Sequence, residues 1–131
     1  MSFTVDTNVL ARALVEDETS PEQCVAARRA IADAAAVFVP QIVQIELCWV
    51  LSTSFGLRHS DIAQVLIALQ SNSHFTLEHS EIFDASLKKF TTSRACGFAD
   101  CMIATIVQRN KTTLITFDKK LAKLAGAAVL K

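Results

Sequence analysis

At 131 residues the chain has room for one domain, residues 1–131, with a single substantial core and one functional site rather than several. Hydrophobic residues make up 51% of it, yet Gln, Glu or Ser interrupts every long apolar stretch well before bilayer-spanning length, which excludes a helical membrane protein. Formal net charge is zero but unevenly spread: residues 1–84 hold four Arg against eleven Asp and Glu, and residues 85–131 hold nine Lys and Arg against two Asp. That asymmetry suits an acidic site fed by a basic rim that attracts phosphate. It equally suits solvated helix faces carrying Lys88, Lys89, Lys119, Lys120 and Lys123.

Phe3-Thr-Val5 reads as a short buried strand, and Asn8 to Val15 as a helix with Val9, Leu10, Ala13 and Leu14 on its apolar side. The strand-to-helix junction falls at Asp6. Ser20-Pro21-Glu22-Gln23 offers an N-cap, a proline at the first helical position and a capping-box Gln, opening a helix to about Ala34. Ala36-Val-Phe-Val39 is a second strand, stopped by Pro40. Residues 41–55 and 61–70 are helices separated by a break at Gly56. Phe75 to Glu78 is a third strand. Helices follow at about 80–92 and 98–109, Gly97 breaking the chain before the second. Thr113 to Thr116 is expected as a fourth strand, Lys119 to Ala125 as a short helix and Ala127 to Leu130 as an edge strand. Short strands alternating with helices predict an α/β domain with a mainly parallel central sheet flanked by helices on both faces. Ligands of such sheets gather at the carboxyl ends of the strands.

The first residues carry no basic segment, apolar core or cleavage site of an export signal, so a cytoplasmic location is expected. Cys24, Cys48, Cys96 and Cys101 form no C-x-x-C pair, and neither zinc nor disulfides are expected of them. His59, His74 and His79 have no partner at helical spacing and read as surface or capping residues. Trp49, Phe83, Phe90 and Phe98 read as core.

The acids are more informative. Asp6 follows the first strand and Asp118 the expected fourth, so both belong to one carboxyl-edge crevice, although each also precedes a helix, where Asp is a favoured N-cap. Asp100 lies in the first turn of its helix, where a negative charge complements the dipole. Glu46 sits in Gln41-Ile-Val-Gln-Ile-Glu-Leu-Cys-Trp-Val-Leu51, a helix that is apolar on nearly every side and has no Lys or Arg, so a buried Glu46 needs a cation from elsewhere. Four acids in one crevice would repel each other unless a multivalent cation neutralised them. An all-oxygen set suits Mg²⁺ or Mn²⁺, and the chemistry of such sites is phosphodiester hydrolysis.

Val5-Asp6-Thr7-Asn8, Glu46, Ala99-Asp100-Cys-Met-Ile-Ala104 and Leu114-Ile-Thr-Phe-Asp118, in that order and spacing, resemble a PIN-domain ribonuclease, and within that family the VapC toxins of toxin–antitoxin (VapBC) pairs. The resemblance implies a PIN-like three-layer α/β/α domain and an endoribonuclease. It implies that Asp6, Glu46, Asp100 and Asp118 are the catalytic and Mg²⁺- or Mn²⁺-binding set, supported by Asn8 and Thr116. It further implies an RNA substrate, a VapB-type antitoxin and a homodimer or a hetero-oligomer with that antitoxin. Cys101 departs from the small or apolar residue usual after this Asp, and Arg94 to Phe98 is not distinctive. The alternatives are a PIN-domain RNase of RNA processing or decay without an antitoxin, and a PIN fold kept as a non-catalytic scaffold. A haloacid-dehalogenase phosphatase needs a second Asp where Asn8 stands, and a response-regulator receiver needs adjacent acids where only Asp6 is found.

Overall fold

Ser2–Thr4 (β1), Ala36–Val39 (β2) and Phe75–Leu77 (β3) are rich in the β-branched and aromatic residues that favour extended backbone. Each is short because a helix begins within a few residues of its end. The computed structural model describes all residues, 1–131, which fall into two compact units, Met1–His79 and Ser80–Lys131. No helix is long and apolar enough to cross a membrane.

In the first unit the strands form one sheet of order β1-β2-β3, parallel throughout, with Phe3 opposite Val37 and Val37 opposite Phe75. Parallel neighbours cannot be joined by a tight turn, so each connection is a long crossover, here a pair of helices. Thr7–Leu14 (α1) and Pro21–Asp33 (α2) lead from β1 to β2, and Gln41–Thr53 (α3) and His59–Ser71 (α4) from β2 to β3. The helix α1 packs on both α2 and α3. Val37 and Val39 of the central strand are buried together with Leu10, Leu47, Leu51 and Leu66. Gly56, at φ 66°, turns the chain between α3 and α4 in a region that disfavours any residue with a Cβ.

In the second unit Ser80–Thr92 (α5) packs on Phe98–Asn110 (α6), and α6 on Lys119–Ala125 (α7). Its centre is aromatic. The rings of Phe83 and Phe90 lie 5.4 and 5.9 Å from that of Phe98, tilted and edge-on, the geometries ring quadrupoles favour. A polar seam joins α5 to α6: Ser86 and Lys89 donate to the Thr105 hydroxyl at 3.2 and 3.1 Å, and that hydroxyl donates to the Cys101 carbonyl at 2.9 Å. Gly97 is the N-cap of α6, as its break before a helix predicts.

Several expectations are corrected. Residues 113–116 form no strand, and residues 127–130 contribute one isolated parallel bridge, Thr116 to Val129. Ile115 and Phe117 are 76% and 75% exposed. Strand propensity is realised only where a ladder and a packed face accept the segment, and a single bridge supplies neither. Ser20 is the N-cap of α2 with Pro21 at its start, but its hydroxyl makes no capping bond. Trp49, read as core, is 67% exposed. Phe83, Phe90 and Phe98 are buried as expected, and the four cysteines are buried and in no disulfide.

Candidate active site

A parallel sheet sends every strand's carboxyl end to the same edge, so the segments after β1, β2 and β3 meet there. After β1, Val5 still donates its N–H to the Phe38 carbonyl at 3.1 Å, and Asp6 is the first residue to leave the sheet. It is the N-cap of α1, and its Oδ1 accepts the Val9 N–H at 3.0 Å. After β2, Pro40 turns the chain into α3. After β3, the Glu78 carboxylate reaches back to accept the Gln41 N–H at 2.7 Å, capping the start of α3 from outside. The buried Gln44 donates its amide to the carbonyls of Val39 and Glu78, at 3.1 and 2.9 Å. These bonds tie the first turn of α3 to the ends of β2 and β3 and so fix the next turn, which carries Glu46.

Glu46 is exposed, contrary to the expectation that its helix has no solvated side. The exposed strip of α3 is itself apolar: Ile42 and Trp49, four residues before Glu46 and three after it, are exposed beside it. One Glu46 oxygen accepts the Thr7 hydroxyl at 3.3 Å. The β1–α1 turn therefore presents Asp6 and grips Glu46 through the next residue. A groove of about 350 Å³ borders Asp6, lined mainly by Phe3, Val5, Val9, Ile31 and Val37.

The second unit carries the other two acids. Asp118 is the N-cap of α7, its Oδ1 accepting the N–H groups of Lys120 and Leu121 at 2.8 and 3.0 Å, while its own N–H is held by the Thr116 hydroxyl at 3.0 Å. Asp100 stands in the first turn of α6, half-buried. Burial, and then the charge of Asp118, push the Asp100 carboxyl above its ordinary pKa. Those two carboxylates are thus close enough to repel each other. The buried Cys96 thiol is raised for the same reasons, by burial first and by Asp100 and Asp118 next.

None of the four acids is in a salt bridge; the ion pairs of the chain use Asp17, Glu16, Asp84 and Glu81 instead. Asp6, Glu46 and Asp118 each have one carboxylate oxygen free of protein donors, and Asp100 has both. In neither unit do three or more His, Cys, Asp or Glu side chains gather into a metal-holding group; Asp6 and Glu46 lie in the first unit, Asp100 and Asp118 in the second. Carboxylate oxygens left outside any ion pair are the donors a hard divalent cation takes, and in that respect the residues fit one.

Thr116 meets Asp118 through the backbone, whereas Asn8 is exposed and hydrogen-bonds to none of the acids. Thr7, Gln44 and Glu78 were not legible as site residues, because their partners lie 34 to 39 residues away and no local pattern marks such contacts. The one sequence hint was the hydroxyl of Thr7 directly after Asp6.

No curated protein matches the chain. The PIN domain, a nuclease fold whose members generally use divalent metals such as Mg²⁺, matches residues 3–127, a span that includes all four acids and both units. By that match the chain belongs to the PIN domain family, and its fold is of the PIN-like α/β/α class.

Proposed function

We propose that this PIN domain is an endoribonuclease of the VapC toxin kind, in which Asp6, Glu46, Asp100 and Asp118 hold Mg²⁺ or Mn²⁺ and residues 1–131 act as one domain. The observation that carries the reading is that none of these four acids is engaged in an ion pair with the protein, in a chain whose family match spans them all. When bound, the metal supplies an activated water and offsets charge on the scissile phosphate and leaving oxygen. The protein's own part is positional. Asp6 and Asp118 spend one oxygen each on a helix N-terminus, which fixes the direction of the other, and Thr116 restrains Asp118.

An RNase of this kind needs restraint in a cytoplasm, so we further propose a VapB-type antitoxin partner and a homodimeric or antitoxin-bound assembly. The apolar strip of Ile42 and Trp49 around Glu46 supports that reading. An inhibitory segment with an apolar side would pack on it and direct an Arg or Lys at the acid. Cleavage of single-stranded or structured RNA should vanish in EDTA and return with Mg²⁺ or Mn²⁺, with duplex DNA a poor substrate. Undiminished cleavage in excess chelator, by protein freed of other nucleases, would overturn the metal mechanism. If expression of the active chain without any partner is harmless to its native host, an RNA-processing role replaces the toxin reading.

A further inference from the structure

Thr7 is buried, and its hydroxyl is the one polar group its side chain possesses. That hydroxyl is spent on Glu46, 39 residues away on α3, and not on the backbone of its own helix. Glu46, by contrast, is exposed and has no basic partner, so without this bond its long side chain would be free to sample several rotamers. The turn that holds Thr7 is itself fixed, since Asp6 caps α1 through the Val9 N–H. Backbone rigidity is thereby passed from the β1–α1 turn to a carboxylate on another helix.

We propose that Thr7 is a positioning residue for Glu46: by engaging one carboxylate oxygen, it orients the other as a metal ligand in step with Asp6. The inference rests on the proposed metal-binding role of Glu46 and adds a residue to it. Groups that orient a metal's ligands are commonly worth about ten- to a hundredfold in metal affinity. Thr7→Val keeps shape and burial and removes only the donor; Thr7→Ser keeps the donor.

The test is Mn²⁺ binding, measured by calorimetry on the full chain without RNA, for wild type, Thr7→Val, Thr7→Ser, Glu46→Gln and the Thr7→Val/Glu46→Gln double variant. Thr7→Val should weaken Mn²⁺ about tenfold with an unchanged melting temperature, Thr7→Ser should bind within about twofold of wild type, and Thr7→Val should add nothing in the Glu46→Gln background. If Glu46→Gln weakens Mn²⁺ but Thr7→Val does not, or weakens it equally in both backgrounds, Thr7 has no positioning role and the metal site stands. If Glu46→Gln leaves Mn²⁺ binding intact, the metal role of Glu46 fails and this inference with it. Should Thr7→Val fail to fold, Thr7→Ala is judged against Thr7→Ser by the same criteria.

Discussion

The carboxyl of Asp100 is held above its ordinary pKa by burial and by Asp118, and the sign of that shift has a measurable consequence. A carboxyl with a higher pKa in the folded than in the unfolded chain takes up protons on folding. It therefore favours the folded state in acid and opposes it once the pH passes its unfolded value. Asp100→Asn should raise stability at pH 7 by roughly a few tenths of a kcal/mol, the scale of partly exposed charge interactions, and change nothing near pH 3, where Asp100 is protonated. Urea denaturation in metal-free buffer at both pH values checks this; a loss of stability at pH 7 would mean that Asp100 has a favourable partner. A divalent cation should reverse the preference, stabilising wild type more than the variant. Asp6 and Asp118 show why single acids are ambiguous in a sequence. Both are N-caps, so the modest structural reading holds for each, and capping with one oxygen leaves the other available.

Helix starts were the most legible elements, because their signals are local: Pro21 opens α2, Pro40 precedes α3, Gly97 caps α6 and Asp118 caps α7. The segment 113–116 was misread because β propensity does not reveal whether a partner strand is in place. Helix α3 was misread for a related reason. Its apolar residues surround the axis, and only tertiary packing decides that Leu47 and Leu51 go inward while Ile42 and Trp49 stay out. In the proposed complex that strip gives α3 two roles, core on one side and contact surface on the other. Trp49→Ser should alter stability by less than about 0.5 kcal/mol, as for other exposed positions. It should weaken binding of the proposed inhibitory partner at least tenfold while leaving RNA cleavage unchanged. A large fall in melting temperature would show that Trp49 belongs to the core, and unaltered inhibition would remove α3 from the partner's contact surface.

For the whole molecule, charge and acids are divided between the two units. Residues 1–79 hold four Arg against nine Asp and Glu, and residues 80–131 hold nine Lys and Arg against four Asp and Glu. Each unit contributes one pair of the four acids, Asp6 and Glu46 in one and Asp100 and Asp118 in the other. The order of these acids along the chain was readable because each sits at a helix start or on a helix whose pattern is local; the bond that holds Glu46 was not, since its partner Thr7 lies 39 residues away. The proposed nuclease reading requires Asp6 and Asp118 alike. RNA cleavage in Mg²⁺ by folded Asp6→Asn and Asp118→Asn, compared with wild type, tests it most directly. A fall of about a hundredfold or more in both, the scale of losing one electrostatic group from a catalytic site, is the predicted result, and wild-type cleavage by either variant would contradict the account.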